Sequence, residues 1–463
     1  DSYATGGVNG SGGSVGGLVG DNQSNSTIQT SYATGGVSGN GSSVGGLVGT
    51  NSGIVTNGFW NSSVVTKGIG SGSTSGATGL TASQMLVSDN FKGFTITNTK
   101  FANTTGTAGW VVVNTNGQLQ AGADTAAAAT SPMLNTEYST DISNAHQLQL
   151  MLMDLTASYR MVADVEAIGT GNQKDVWGTV GFVPIGWWRS TAVPFTGSFD
   201  GREHKIRWLN INRTDDNVGL FGYTHNASVS NVGLLDARVL GQNNVGALIG
   251  HLGGATVRNN YSRNGYVSGA FTFISSKRSG ESIGGLIGVN NQGAVENCYT
   301  TGIAYGGKFV GGLLGLNLGT INKSYSGSNV NARKALTGAN GGGLVGQNQG
   351  TISNTYATGD VLSKKGYGGL VGTNSGGTIK NSYAMNRLLH SPSSKNIGGL
   401  IGQNTGTVDY SYWDTTTSKL TTSAGGSELT DTQMKQQSSF TGWDFTNIWE
   451  MDTYPRLRNM PAP

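Results

Sequence analysis

The chain of 463 residues contains 77 Gly, 7 Pro and a single Cys; only 11% of its residues are charged, and its net charge is +3. A typical globular domain has about 7% Gly and about 25% charged residues, so this composition is unlike that of an ordinary α/β enzyme or a charged disordered tail. Because the charge is nearly balanced and no basic stripe occurs, we expect no nucleic-acid partner. Cys298 alone can form neither an internal disulfide nor a CxxC metal site.

A repeated segment is present from the first residues onward. Ser-Tyr-Ala-Thr-Gly occurs at residues 2–6 and again at residues 31–35. The first residue therefore lies inside a repeat, and we expect the chain to be a fragment of a longer protein whose targeting signal is absent here. The sequence contains no run of 18 apolar residues, so we expect no helix that inserts into a membrane.

The repeat is marked by Gly-Gly-Leu-Val-Gly at residues 16–20 and 45–49, and variants recur farther along the chain. From Leu286 to Leu400 the intervals between successive leucines are 27, 31, 26 and 30 residues. Four residues after most of these leucines comes an Asn, then a β-branched residue, and four residues later an aromatic residue. In the best-preserved copies the three columns are Leu286, Leu313, Leu344, Leu370, Leu400; Asn290, Asn317, Asn348, Asn374, Asn404; and Tyr299, Tyr325, Tyr356, Tyr383, Tyr412.

This periodicity predicts an all-β fold, a right-handed parallel β-helix built from coils of about 26–31 residues. Each unit is too short and too rich in Gly to bury its own apolar face, whereas stacked units bury a continuous core. The even spacing between the β-branched residue and the aromatic residue predicts that both face the core. We expect the glycines to form tight corners with positive φ, and the Asn residues to occupy turns and to bond along a ladder.

Three stretches predict short helices that cap the arrays. Thr81-Ala82-Ser83-Gln84 and Thr430-Asp431-Thr432-Gln433 fit the capping box, and each is expected to open a helix through the Met that follows. Residues 143–155 carry apolar side chains at helical spacing, at Leu148, Met151, Leu152 and Leu155.

Residues 59–95 and 412–445 contain the same order of aromatic, Gly/Ser/Thr-rich and capping-box segments, and so predict two modules. We assign residues 1–120 to the C-terminal part of a first module, 121–132 to a linker and 133–463 to a second module. Within the second module, 133–215 form the start, 216–409 the repeat array and 410–463 the end segment.

The repeats resemble a known family. Gly-Gly-Leu-[Val/Ile]-Gly-x-Asn followed by Asn-[Ser/Thr]-Tyr-Ala is similar to the GLUG repeat of large secreted bacterial adhesins, including filamentous-haemagglutinin-like proteins of two-partner secretion systems. The segment Phe195–Gly201 and the ending with Tyr412-Trp413-Asp414 resemble the start and end of such modules. GLUG repeats also occur beside some IgA-specific metallopeptidases.

The resemblance implies a non-enzymatic, extracellular segment on the bacterial cell surface, a stiff rod for cell–cell or surface attachment and biofilm formation. Host or bacterial surface glycans, or matrix polysaccharide, are the expected partners, together with self-association. We expect no catalytic residues, no cofactor and no metal. None of the five histidines forms the His-Glu-x-x-His motif of a metallopeptidase.

Four alternatives stay open from the residues themselves. A glycan-binding module would use Trp187 and Trp188, of which one is expected to be exposed because neighbouring strand residues face opposite sides, together with the loop of residues 255–280. The others are a self-assembling filament subunit, an accessory domain of a peptidase, and a polysaccharide-active β-helix enzyme. Such an enzyme would need paired carboxylates, for which the candidates are Asp164, Glu166, Asp175, Asp200, Glu203, Asp215 and Asp216.

Overall fold

The computed structural model describes residues 1–98, 109–171, 173, 175–188, 191–269, 280–332, 340–363, 366–389 and 395–461. The chain forms a right-handed parallel β-solenoid with a few short helices, as the repeats predict. Contacts divide it into two compact units. The first contains residues 1–139, 144–154 and 167–183, and the second contains residues 140–143, 155–166 and 184–463.

In the first unit, parallel strands from successive coils form four sheets. Their strands are Ser2–Ala4, Thr27–Ala33, Ile54–Asn61 and Ala77–Leu80; Val19–Asn22, Val48–Asn51 and Ile69–Gly72; Ser14–Gly16 and Ser43–Gly45; and Val8–Gly10 and Val37–Gly39. An antiparallel pair, Trp110–Val111 with Met133–Leu134, belongs to the same unit. The helices of the first unit are the α-helix Ala145–Leu150 and the 3-10 turns Gln84–Leu86, Ser88–Asn90, Asn135–Glu137, Met151–Met153 and Ile168–Gly171.

In the second unit, one large sheet runs through the stack of coils. Its strands are Asp141–Ile142, Ser158–Met161, Val165–Glu166, Ser198–Asp200, Lys205–Arg207, Asn210–Asn212, Ser228–Ser230, Gly233–Leu235, Arg238–Leu240, Thr256–Arg258, Tyr261–Ser268, Ala294–Glu296, Tyr299–Tyr305, Thr320–Ser326, Asn329–Ala332, Thr351–Ala357, Val361–Ser363, Thr378–Lys380, Tyr383–Ala384, Leu388–Leu389, Thr407–Asp409, Tyr412–Asp414 and Ser427–Leu429.

Two further parallel sheets complete the coils of the second unit. The first contains Phe221–His225, Ile249–Gly253, Ile287–Asn291, Leu314–Asn317, Val345–Asn348, Val371–Asn374 and Ile401–Asn404, and the second contains Ile283–Gly284, Phe309–Gly311, Asn340–Gly342, Gly366–Gly368 and Ile397–Gly398. Antiparallel hairpins join Trp187–Trp188 to Ala192–Val193 and Trp449–Met451 to Pro455–Leu457. The helices are Thr415–Ser418, Asp431–Met434 and the 3-10 turn Gln437–Ser439.

The repeated Asn residues form a buried amide ladder inside the second unit. The Nδ2 atom of each donates to the Oδ1 atom of the Asn on the next coil, and the N–O distance is 2.8 Å at all four steps from Asn290 to Asn404. The same amides also bond backbone groups of the adjacent turn, as Asn290 does with Gly293. None of the five has a positive φ, so they act through ladder bonds and not through left-handed turns.

The Gly-Gly pairs serve a different purpose from the one that we expected. Positive φ angles occur at other glycines. None occurs at the Gly-Gly pairs that directly precede the repeat leucines from Leu286 to Leu400, which are Gly284–Gly285, Gly311–Gly312, Gly342–Gly343, Gly368–Gly369 and Gly398–Gly399. A Cβ atom on Gly343 would lie within 3.0 Å of the carbonyl oxygen of Gly369 on the next coil, and one on Gly342 within 3.0 Å of the Val345 carbonyl. The prediction of positive-φ corners was therefore wrong at these pairs, because close backbone approach is what demands Gly there.

One column of left-handed corners lies instead two residues before the aromatic position of each coil. In the second unit their φ angles are between 46° and 58°, at Asn231, Asn259, Asn297, Lys323, Asn354, Asn381 and Tyr410. Most of these positions hold Asn, the residue besides Gly that adopts this conformation most readily.

These corners reverse the side-chain alternation, so the aromatic column does not share one face with the β-branched column, contrary to the prediction from the even spacing, but lies in a separate buried cluster. After Lys323, the hydroxyl of Ser326 faces the interior, 3.3 Å from that of Thr300. Tyr325 points to the other side, where its hydroxyl donates to the Pro461 carbonyl at 2.7 Å. An even spacing keeps two residues on one face only while the strand is regular.

The Tyr column is buried by the end segment of the second unit. From Tyr261 to Tyr383 successive rings are stacked with centroids 4.8–5.1 Å apart. Leu429, Met434, Phe440, Trp443 and Trp449 pack against this column. In the first unit, Phe91, Phe94 and Trp110 cover Tyr32 in the same way. The repeated end segment therefore closes the outer aromatic face of each array.

The capping-box prediction is confirmed at both sites. The backbone N–H of Gln433 donates to Thr430 Oγ1 at 3.4 Å, and the backbone N–H of Thr430 donates to Gln433 Oε1 at 2.9 Å. The Thr81 and Gln84 pair makes the same reciprocal bonds, and a 3-10 turn, Gln84–Leu86, begins at its Gln. The third predicted helix begins after Asn144, whose side chain caps it.

The two compact units interleave along the sequence, whereas the predicted modules follow one another and are separated by the linker of residues 121–132. Residues 128–132 of the predicted linker are buried within the first unit. The Tyr32 hydroxyl donates to the Pro132 carbonyl at 2.5 Å, and the Ser131 N–H donates to the Val176 carbonyl at 2.7 Å. Packing thus joins stretches from both predicted modules into one unit, and the module boundaries stay a prediction about the sequence repeats.

Replacing Asn348 with Ala should destabilise the second unit. The change leaves the amide of Asn317 and the carbonyl oxygen of Asn374 without their ladder partners, and each buried unsatisfied group costs about 1–3 kcal/mol. Urea unfolding should show a loss of about 2–3 kcal/mol. Gln347→Ala, on the outer side of the same strand, is the control and should stay within about 0.5 kcal/mol of the wild type. Equal stability of the two variants would contradict the ladder's role.

Candidate functional site

Trp188 stands on a hairpin outside the regular coils of the second unit. Just before the hairpin, Ile185 pairs in parallel with Phe221, and just after it Phe195 pairs with Thr224. The chain between these two bridges leaves the sheet and returns as an antiparallel pair, Trp187–Trp188 with Ala192–Val193. This excursion places Trp188 over the outer surface of the first coils.

Three aromatic rings meet at this point. Tyr223 and His251 are paired on successive coils. The Trp188 ring lies 5.0 Å from the Tyr223 ring and 5.1 Å from the His251 ring, measured between centroids. The Tyr223 and His251 rings are 5.3 Å apart in an edge-to-face arrangement, which the charge distribution of aromatic rings favours. Trp188 is nevertheless 43% exposed.

A rim of polar side chains lies beside the three rings. Asn217 and Asn244 occupy left-handed corners of successive coils, with φ of 58° and 53°. The Asn217 Nδ2 atom donates to the Trp188 carbonyl at 3.3 Å, and the Asn244 Nδ2 atom donates to Asn217 Oδ1 at 2.8 Å. Asp216 Oδ1 accepts from the backbone N–H and the side-chain amide of Asn243. The rim is therefore fixed by the same coil-to-coil bonding as the solenoid.

Together these residues line an open groove of about 540 Å³, which we call the Trp188 groove; its lining residues are Trp188, Thr214, Asp215, Asp216, Asn217, Gln242, Asn244 and His251. Its size falls within the range of about 300–1,000 Å³ that small-molecule sites have. Burial lowers the pKa of His251 to about 4, so its ring is neutral at pH 7. The His251 Nε2 atom is buried and makes no hydrogen bond with the described residues.

The two tryptophans of the predicted glycan site differ in their surroundings. Trp188 lies in the groove, whereas Trp187 is partly buried and pairs with Val193 on the returning strand of the hairpin. Of the predicted 255–280 loop, residues 270–279 lie outside the described residues, and the described ones are not among those that line the groove. Tyr223, His251 and Asn244 were missed by sequence reasoning. Their repeat is degenerate, with Leu252 at the position of the ladder Asn, and that departure was the available signal.

The acidic residues considered for catalysis lie in ion pairs and turns. Asp164 accepts from the Lys205 N–H at 3.0 Å and pairs with Arg207, which also lies 3.4 Å from Glu166. Asp200 Oδ1 accepts from the Arg202 N–H in the turn that follows. In the groove, Asp215 Oδ2 lies 2.8 Å from Arg213 Nε.

A second groove of the second unit, of about 590 Å³, follows the exposed edge of the Tyr column between Tyr261 and the end segment. Glu203, Lys205 and Asn259 are among its lining residues, and Met460 and Pro461 lie at its wall.

The first unit contains a partly buried cluster of titratable groups around His146. The His146 Nδ1 atom lies 2.8 Å from the Tyr3 hydroxyl and 3.2 Å from Glu137 Oε2, and its Nε2 atom lies 3.0 Å from Asp175 Oδ1. Burial by itself lowers the pKa of His146, but its hydrogen bonds to Asp175 and Glu137 outweigh burial and raise that pKa to about 9. The imidazolium therefore links the first coil, which carries Tyr3, to the helix that carries His146.

The described residues contain no group of three or more His, Cys, Asp or Glu side chains that could hold a metal ion. Within the same residues, every helix is too short or too polar to cross a bilayer. Cys298 is buried in the interior Ser/Thr column, where its N–H donates to Ser324 Oγ at 3.1 Å. Burial raises the pKa of its thiol to about 12.

Comparison with curated proteins finds two similar sequences. Halomucin of Haloquadratum walsbyi is 35% identical over 315 residues, which are 65% of this chain and 3% of that protein. A protein of Evansella cellulosilytica assigned as a Gly-rich membrane protein is 40% identical over 97 residues, 19% of this chain and 11% of that protein. The chain therefore spans only a small part of the curated relatives that it matches. No protein-family model matches the chain.

Two solved structures are similar to this chain at low identity. A Bacteroides ovatus protein assigned as an immunoglobulin A1 protease is 21% identical with a TM-score of 0.46, over 68% of this chain and 91% of that one. An IgA1 protease is 15% identical with a TM-score of 0.43, over 71% of this chain and 25% of that one. Neither likeness indicates an activity for this chain.

The His146 cluster predicts a pH dependence of stability. Since the folded pKa of about 9 exceeds the unfolded value of about 6.5, the stabilisation is complete below pH 6.5 and is lost as the pH rises through 9. The free energy of unfolding should fall by at most about 3 kcal/mol across this window. Urea unfolding at several pH values measures it.

His146→Gln is the matched control, because Gln keeps a polar side chain without a titration near neutral pH. The variant should be less stable at pH 6 and should lack the decline between pH 6.5 and 9. A decline of the same size in the variant would show that other groups cause it.

Proposed function

We propose that this chain is a non-enzymatic, extracellular segment of a large bacterial adhesin of the GLUG-repeat type, acting in surface attachment and biofilm formation. In this role the solenoid is a stiff scaffold, and its outer surface presents binding positions to surface glycans or matrix polysaccharide. The proposal extends to secretion by a two-partner system, which rests on the resemblance of the repeats alone.

The observation that carries the proposal is the repeated pairing of successive coils in the second unit, with matched columns from Asn290 to Asn404. The Asn ladder, the Tyr column and the large sheet all continue from coil to coil. Such a stack resists bending because each coil is bonded to its neighbours along several sheets at once. A scaffold of this kind suits a protein that holds partners at a distance under load.

The surface chemistry also favours attachment to neutral partners. The chain has nearly balanced charge and a pI of about 8.8, and its outer corners present Asn side chains from successive coils, such as Asn231, Asn259 and Asn297. Weak contacts that recur along one scaffold gain avidity when several are made together.

Particle attachment under flow tests the proposal. Inert particles coated with the folded chain should be retained on surfaces bearing bacterial or host polysaccharides at least about tenfold better than particles coated with the heat-unfolded chain, because avidity multiplies weak contacts. Retention of both particle types to the same extent on every surface would contradict adhesion.

The competing functions give different results in the same samples. New reducing ends or unsaturated sugar products in the polysaccharide would indicate an enzyme. Fibres whose amount rises with protein concentration, followed by sedimentation, would indicate a filament subunit. Self-association without fibres is compatible with the adhesin.

A further inference from the structure

We propose that the Trp188 groove binds a neutral oligosaccharide, with the exposed face of Trp188 stacked on a sugar ring. This inference rests on the proposed function and names the partner and the place of contact. It is carried by the juxtaposition of a half-exposed, braced indole with a row of fixed amide and carboxylate groups on consecutive coils.

The indole fits the apolar face of a pyranose. A sugar ring presents C–H groups on one face, and these carry the partial positive charge that the face of an aromatic ring attracts. Trp188 is held by Tyr223 and His251 on one side and by the Asn217 amide at its carbonyl. Because it is already immobilised, stacking a ligand costs little further side-chain entropy.

The rim fits the hydroxyl groups at the edge of the sugar. Carboxylates accept hydrogen bonds only, whereas Asn and Gln amides both donate and accept, and a vicinal diol needs both. Asp216, Asn244 and Gln242 supply these groups along one side of the groove. The Asn217–Asn244 bond and the Asp216–Asn243 bonds fix their positions before a ligand arrives.

The charge of the groove indicates which sugars it takes. Neither Lys nor Arg is among its described lining residues. Of its two carboxylates, Asp215 is paired with Arg213 at 2.8 Å. Asp216, in contrast, accepts from the neutral Asn243 and keeps its negative charge. His251 adds no positive charge, since it is neutral above pH 5. A uronate or sialate would meet like charge at short range, which disfavours binding. Neutral hexose and N-acetylhexosamine chains are therefore the class that fits.

The experiment uses the full chain on an array of neutral hexose and N-acetylhexosamine oligomers beside uronate-containing oligomers. The wild type should bind at least one neutral oligomer, and Trp188→Ala should weaken that binding at least tenfold. If the first variant folds poorly, Asp216→Ala provides a second test at an exposed position. This variant is also expected to weaken binding of the same oligomer.

Trp208→Asn is the matched control, because Trp208 is equally exposed at 46% but lies outside the groove. Asn also tolerates the left-handed backbone there, where φ is 55°. This variant should bind like the wild type. Binding that survives both groove substitutions, equal loss in the control, preference for uronate oligomers, or no binding to any neutral oligomer would each overturn the inference.

The array and the particle assay together distinguish a failure of the groove assignment from a failure of the adhesin proposal. If coated particles are retained but the groove variants bind as the wild type does, the groove assignment is wrong and the adhesin proposal stands. If the folded chain gives no retention on any surface, the adhesin proposal itself fails.

Discussion

The close approach of successive coils at the Gly-Gly pairs is the constraint on which the rest of the structure depends. At Gly343 the backbone of one coil runs so near that of the next that a methyl group would overlap a carbonyl oxygen. The absence of a side chain at this contact permits the spacing at which Leu344 donates its N–H to the Leu370 carbonyl at 2.9 Å. The Asn amides reach each other at 2.8 Å only because the coils are held at this distance and in this register.

Much of this architecture follows from the sequence because the repeat is regular. A recurring Leu, Asn and aromatic residue at nearly constant intervals leaves few folds besides a stacked solenoid. The two capping boxes were readable for the same reason, since their reciprocal bonds involve residues only three positions apart. Short-range motifs and recurring residue patterns are therefore the features of this fold that can be predicted from a single sequence.

Other features depend on conformations that the pattern does not reveal. The left-handed residue two positions before the aromatic residue turns the aromatic side chain outward. The even spacing of the residues does not predict this left-handed conformation. Because the Tyr column faces outward, the end segment with Trp443 and Trp449 packs over it and shields the Tyr rings from water. The candidate groove was only half predictable: Trp188 stood out by its residue type, but His251 and Asn244 reach it through coil-to-coil register.

The groove lies where the repeat is least regular, and this is physically reasonable. Ordinary coils place side chains such as Gln347 and Thr373 on the outer column that begins with Tyr223 and His251. Replacing them with aromatic rings costs the interior nothing, because the column lies outside the ladders. A solenoid can therefore acquire a binding position on one coil while its interior columns keep the fold.

The measurement that tests the account most directly is the unfolding of Gly343→Ala beside Gly376→Asn. A Cβ at Gly376 meets no atom within 4 Å, and Asn suits its φ of 80°. Gly343→Ala should lose several kcal/mol of stability or fail to form the solenoid, since overpacking against backbone cannot relax, while Gly376→Asn should stay close to the wild type. Near-native stability of Gly343→Ala, measured by urea unfolding and far-UV circular dichroism, would contradict the claim that coil spacing at the Gly-Gly pairs governs the fold.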